Sequence, residues 1–277
     1  MLACLRRVSA CALLVHLPLV ASHAAEGFFA DKQPPQVRAA WNSVFAFVCE
    51  GGGSRYVASA FLVKKRVRGK DADYYFITAG HAVEDCRQPR RYLVADINQP
   101  RYESDGITLA APLPRLSGIA PVSVDEAYDI ALIRTSAPAK LVTAPPLSVG
   151  EECARAMHRR LYAIGIPGVA QRRSLRKLPE MKRWSSGEAV GLGRAEFRGT
   201  EKIYIASTVD SLPGSSGGPV IDDGGKLIGV VAKGAAAPEN GYRYDVDPGK
   251  RDDWQTFLVP CEAVSQIIRD SGLNSTD

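Results

Sequence analysis

Asp210-Ser211-Leu212-Pro213-Gly214-Ser215-Ser216-Gly217-Gly218-Pro219 is the stretch on which the reading of this chain turns. Ser216 lies on a sharp turn lined by glycines. A serine hydroxyl is a weak nucleophile until a base takes its proton and donors receive the charge that develops on the attacked oxygen. Glycines beside it allow strained dihedrals and let a second backbone come close. The N–H groups of Gly214 and Ser216 would then converge on one oxyanion. An ordinary surface turn has the same composition, so the reading needs a base and an orienting acid elsewhere in the chain.

The chain holds four histidines, His16, His23, His81 and His158. The first two fall in an N-terminal segment that reads as a secretory signal, residues 1–25. It has a positive start at Arg6 and Arg7, a mostly apolar run over 8–20, and small residues at Ser22 and Ala24. That run is shorter than the roughly 20 residues a membrane span requires. No later stretch could span a membrane, so no membrane association is expected after cleavage. His158 is flanked by Arg159 and Arg160, whose charges oppose the imidazolium a base must become. His81 ends Ile77-Thr78-Ala79-Gly80-His81, where a strand runs into a small-residue turn. It is the better base. The orienting acid is read as Asp129, which opens the apolar strand Ile130-Ala131-Leu132-Ile133. The order His81, Asp129, Ser216 differs from the order of the same groups in subtilisins and α/β-hydrolases.

Short β-type runs surround these residues. They cover 44–49, 56–63, 74–78, 92–97, 130–133, 161–166, 202–208, 219–221, 227–233 and 256–259. Runs of this length separated by turns predict an all-β barrel or sandwich. Residues 26–40 read as an exposed lead-in without regular structure because of Pro34 and Pro35, and 64–73 as a charged turn. Residues 136–150, rich in alanine and proline, read as the connection between halves spanning 26–135 and 151–277. An irregular region follows to Gly187. Its Arg172, Arg173, Arg176, Lys177, Lys182 and Arg183 read as a solvated loop. Ala263, Val264, Ile267 and Ile268 predict a short amphipathic helix over 262–270.

The formal net charge of +5, to which Arg6 and Arg7 contribute, is too mild to argue for nucleic acid. Beyond the signal four cysteines remain, Cys49, Cys86, Cys153 and Cys261. An even count in an exported chain predicts two disulfides, with three pairings open.

Three blocks together resemble the chymotrypsin/trypsin-like serine protease family. They are Thr78-Ala79-Gly80-His81, Asp129-Ile130-Ala131-Leu132 and Gly214-Ser215-Ser216-Gly217-Gly218-Pro219, in the family's order and at similar spacing. Gly225-Lys226-Leu227-Ile228-Gly229-Val230-Val231 resembles the strand after the family's nucleophile. The resemblance implies two antiparallel six-stranded β-barrels with a short C-terminal helix. It implies His81 as base, Asp129 as its orienter, Ser216 as nucleophile, and an oxyanion hole from the N–H groups of Gly214 and Ser216. It implies a protein or peptide substrate, no metal and no cofactor. A disulfide often closes the loop beside the family's histidine, which implies Cys49–Cys86 and leaves Cys153–Cys261. The expected place of action is the periplasm or the exterior.

Departures from the family matter. Digestive members carry an aspartate just before the nucleophile, where this chain has Ser215, so no activation switch of that kind is expected. The peptide-binding domain that periplasmic stress proteases add is not expected either. Asp210 lies where trypsin-like members place the acid that binds Arg or Lys, and Gly234 where they leave the pocket wall open. Bacterial members also carry a structural acid near this position. Glutamate-specific relatives place a histidine where this chain has Val231, which disfavours that preference, and small apolar specificity stays open. The rival reading is a catalytically inactive binding protein on a protease fold.

Overall fold

Period-two alternation decides which face each strand shows, and it sorts the apolar residues of this chain into separate cores. The computed structural model describes residues 33–51, 54–86, 90–94, 114–150, 153, 158–166, 182–197, 199–211, 214–234, 243–245 and 256–273. The expected signal and most of the basic region before Lys182 lie outside the described residues.

The first half contributes β1 (Val44–Gly51), β2 (Ser54–Arg68), β3 (Asp71–Ala79), β4 (Arg90–Val94), β5 (Arg115–Leu116), β6 (Ala120–Asp125) and β7 (Ile130–Pro138). They pair antiparallel in the order β5-β4-β1-β2-β3-β7-β6. The second half contributes β8 (Arg160–Gly165), β9 (Arg183–Phe197), β10 (Thr200–Ser207), β11 (Pro219–Asp222), β12 (Leu227–Gly234), β13 (Arg243–Asp245) and β14 (Thr256–Pro260). Their order is β10-β14-β12-β11-β8-β9-β13, and a further β9–β10 pairing closes six of them into a ring. The chain is thus mostly β, with two antiparallel sheets and a short C-terminal helix, α3 (Cys261–Asp270). Among the described residues the first sheet is a seven-stranded half-barrel, open between β5 and β6, rather than a closed six-stranded ring. The two-residue β5 supplies the seventh strand.

Inside the first sheet lie Phe45, Phe47, Tyr74, Phe76, Ala131 and Ile133. Inside the ring lie Leu161, Ala163, Ile205, Val220 and Leu258. The alternate residues of the same strands meet between the sheets. Tyr75, Ile77, Ile130 and Leu132 come from the first, and Tyr162, Ile164, Val230, Phe257 and Val259 from the second. Val264 and Ile267 of α3 join this shared layer. The sheets are therefore joined through a common apolar core.

Four local expectations need correction. Pro34 and Pro35 do not prevent a helix: α1 (Pro35–Trp41) begins at Pro35 and buries Val37 and Ala40 in the shared layer. Proline suits the first helical turn, where its missing N–H has no partner to lose and its φ is already helical. The charged 64–73 segment is mostly strand: β2 and β3 pair out to Arg68 and Asp71, with the turn made at Gly69 (φ 65°). The first residues of the 136–150 segment still belong to β7, which pairs with β3 as far as Pro138. The expected irregular region contains the start of β9, whose glycines and serines dilute any apolar period. Lys182, read as solvated, is 1% exposed. Its ammonium bonds the carbonyls of Trp41 and Val44 and lies 4.7 Å from the centre of the Trp41 ring. Burial drives its pKa well below the ordinary lysine value.

Both expected disulfides form, Cys49–Cys86 and Cys153–Cys261. They suit an extracytoplasmic setting. The second joins the segment entering the ring to the first turn of α3, where Glu262 Oε1 accepts the N–H of Cys153 at 2.7 Å. No helix among the described residues is long and apolar enough to cross a membrane.

Candidate active site

β3 ends at Ala79 and passes directly into the short helix α2 (Gly80–Glu84). His81 is thus a first-turn helical residue rather than part of an open turn. The first N–H groups of a helix have no partner within it, and Asp129 supplies partners from outside. Its carbonyl accepts the N–H of Gly80 at 2.8 Å, and its Oδ1 accepts the N–H of His81 at 2.7 Å. Its Oδ2 lies 2.6 Å from His81 Nδ1. One residue caps the helix and holds the ring.

Asp129 can do this because of the hairpin that carries it. Asp125 Oδ1 accepts the N–H groups of Ala127 and Tyr128, both at 3.0 Å, which folds the chain between β6 and β7 into a tight turn. Asp129 completes the turn with φ 56°. That is a left-handed conformation that aspartate tolerates better than most residues, and such departures gather at functional sites. The Asp129 side chain is only 4% exposed, whereas the His81 side chain keeps 28% of its surface. The Tyr56 ring stands edge-on to the imidazole, with centroids 6.3 Å apart. Burial raises the pKa of the Tyr56 phenol, and the charges of Asp129 and Asp85 raise it further. Tyr204, whose hydroxyl donates to the Ala127 carbonyl at 3.2 Å, is raised by burial and by Asp129 in the same way.

The turn with Ser216 belongs to the second sheet but rests on the first. Ser59 N–H, on β2, donates to the Ser216 carbonyl at 3.0 Å. Gly217 (φ 81°) fits so closely that a Cβ there would collide with the Ser59 carbonyl and lie 2.6 Å from Ala79 N. No other residue suits both that dihedral and that space. The turn is thus pressed against the end of β3, two residues before His81. Behind it, Gly217 N–H donates to Val231 and Gly218 N–H to Ser215, both at 2.9 Å. Ser215 is buried and Ser216 half-buried.

Gly234 and the two residues that flank Asp210 all meet Thr256. Gly234 pairs with Thr256 across β12 and β14. Thr256 Oγ1 donates to the Val209 carbonyl at 2.7 Å and lies 2.8 Å from Ser211 Oγ. Asp210 is an exposed residue whose carboxyl is still partly desolvated, which raises its pKa. His158 is exposed, with φ 59°. Among the described residues, one group of metal-type donors is Cys153, Cys261 and Glu262, and its two sulfurs are joined in a disulfide.

Sequence reasoning passed over Tyr56 and Ser59. Ser59 was visible only as a hydroxyl inside an otherwise apolar strand, and it proves to be 0% exposed with every polar atom bonded.

Comparison with known proteins agrees with this architecture. Residues 58–230, which include all three motif blocks, match the trypsin-like peptidase domain. No curated protein matches significantly. Among solved structures, the HtrA-type protease AlgW with a tripeptide is similar at TM-score 0.55 and 17% identity, over 87% of this chain. AlgW with a decapeptide is similar at TM-score 0.56 and 15% identity, over 85% of this chain. The match spans 63% and 66% of those two chains, and at such identities the likeness is one of fold. With the family match covering well over half of its length, the chain belongs to the trypsin-like peptidase domain family.

Proposed function

We propose that the chain is an exported serine endopeptidase that cleaves peptide bonds through Ser216, His81 and Asp129. The observation that carries the reading is the pair of hydrogen bonds that the buried Asp129 carboxylate accepts from His81, beside a Ser216 turn clamped to the adjoining strand. With Nδ1 engaged by Asp129, the imidazole keeps Nε2 free of its proton and ready to accept one. Ser216 Oγ attacks the peptide carbonyl while His81 takes its proton. Collapse of the tetrahedral intermediate breaks the C–N bond, and His81 returns the proton to the departing amine. Water, deprotonated by His81, then cleaves the acyl ester and restores Ser216. The Asp129 carboxylate offsets the positive charge of the imidazolium. The N–H groups of Gly214 and Ser216 receive the oxyanion.

A peptide would enter the crevice between the halves spanning 26–135 and 151–277, with Asp210 and Gly234 beside its side chain. Residues 1–25 are removed on export to the periplasm or beyond, and the two disulfides suit that destination. A fluorophosphonate probe tests the chemistry directly. The wild-type protein is expected to be labelled and Ser216→Ala not. A well-folded wild-type protein that takes no label would refute the protease reading and leave a binding protein.

A further inference from the structure

Resting on that assignment of Ser216, we infer that Ser59 is a positioning residue that fixes the oxyanion-binding segment, residues 214–216. Ser59 belongs to the other sheet and is remote in sequence, yet it bonds this segment at both ends. Its hydroxyl donates to the Gly214 carbonyl at 3.0 Å, and its N–H donates to the Ser216 carbonyl at 3.0 Å. The hydroxyl itself is fixed from behind, since it accepts the N–H of Ile166 at 2.8 Å at the end of β8. The Ser59 carbonyl accepts the Thr78 hydroxyl at 2.7 Å. With no surface exposed, none of these bonds has water as a substitute.

The segment needs such an anchor. Gly214 holds φ at 95°, and a glycine reaches that value no more readily than its mirror image. The middle carbonyl, that of Ser215, is fixed by Gly218 N–H. The first carbonyl is fixed by Ser59. Without that bond Gly214 loses its tie to β2, and a joint change of φ and ψ at this glycine re-aims its own N–H along with its carbonyl. Oxyanion donors act only when they point at the place where charge develops.

The test uses the rate of fluorophosphonate labelling. In that reaction Ser216 Oγ bonds to phosphorus, the P–F bond breaks, fluoride leaves, and the serine proton passes to His81. The P=O oxygen occupies the oxyanion position, so kinact reports donor alignment and KI reports binding. Losing one oxyanion donor costs on the order of 10²–10³-fold, so Ser59→Ala, which misaims a donor, should lower kinact about tenfold or more, with KI within about twofold. Ser43→Ala is the matched control. It removes an equally buried hydroxyl, bonded to the Pro145 carbonyl at 2.6 Å, away from the turn. Its kinact should stay within about twofold of wild type at a similar loss of thermal stability. Should Ser59→Ala not fold, Ser59→Cys, nearly the same size with a weaker hydrogen bond, takes its place with a smaller loss of kinact. Wild-type kinact in folded Ser59→Ala or Ser59→Cys, or an equal loss in Ser43→Ala, overturns the inference while the protease reading stands. An unlabelled wild-type protein removes both.

Discussion

Asp129→Asn separates the two tasks that Asp129 performs. Asparagine keeps a carbonyl oxygen able to accept the N–H of His81, so the cap on α2 survives. Its amide nitrogen must then face His81 Nδ1, which lies 2.6 Å from Oδ2 in the native protein. A donor there forces Nδ1 to act as acceptor and moves the ring proton to Nε2, the atom that takes the proton from Ser216 in the proposed mechanism. The substitution also removes the charge that balances the imidazolium. Two unit charges at that separation attract by about 6 kcal/mol at an effective dielectric near 20. The expected loss of turnover is about 10⁴-fold, or about 5.4 kcal/mol of barrier, so the electrostatic term is large enough to account for it. The assay is kinact with a fluorophosphonate, paired with thermal unfolding. Asp129→Asn should unfold within about 1 °C of wild type, whereas Asp129→Ala, which removes the side-chain cap as well, should lose about 1 kcal/mol and about 2–4 °C. A folded Asp129→Asn protein labelled within tenfold of the wild-type rate would refute the reasoning.

Lys182 gives a pH-dependent expectation. Its folded-state pKa is depressed by burial, so below the ordinary lysine value the unfolded chain binds more protons than the folded one. Stability should therefore rise from neutral pH towards about 10, by at most about 1.4 kcal/mol per pH unit from this group. Lys182→Met should lose that slope; a wild-type-minus-variant difference in unfolding free energy that is flat between those limits would contradict the assignment. Breaking Cys49–Cys86, whose residues are 37 apart, should cost about 4 kcal/mol by loop-closure entropy. Replacing both cysteines by serine should also slow labelling, because Cys86 lies just beyond the helix that carries His81. Equal stability with and without reductant would be the contrary result.

The central strands were legible because their residues leave little choice. Tyr74-Tyr75-Phe76-Ile77 in β3 and Ile130-Ala131-Leu132-Ile133 in β7 are apolar on both faces, as strands buried between two cores must be. β9 was not, because Ser185, Ser186, Gly187, Gly191 and Gly193 interrupt any apolar period. α1 was hidden behind two prolines, one of which is its first residue. The site was legible as a set of motifs, and the meeting of His81 with Asp129 followed from them. What the motifs did not contain was the second task of Asp129, capping α2, since a carboxylate bonded to a backbone N–H leaves no signature in spacing. The burial of Lys182 was equally invisible. Lysine is charged in most settings, and here the carbonyls of Trp41 and Val44 beside the Trp41 ring help make an interior place for it. Ser59 bonds a carbonyl 155 positions away, a separation at which no local pattern helps.

On the protease reading proposed above, the apolar layer between the two sheets has a bearing on what the site can accept. Phe61, Ile77 and Leu132 of one sheet and Tyr162, Tyr204 and Phe257 of the other interdigitate there, with Trp184 beside them. A close-packed layer does not slide without shearing rings past one another. The two halves therefore do not part like jaws to swallow a folded target. Under the proposed protease reading, a peptide substrate would do the adapting, arriving already stretched out, and a protein's susceptibility would be set by how readily it releases a loose stretch of its own backbone.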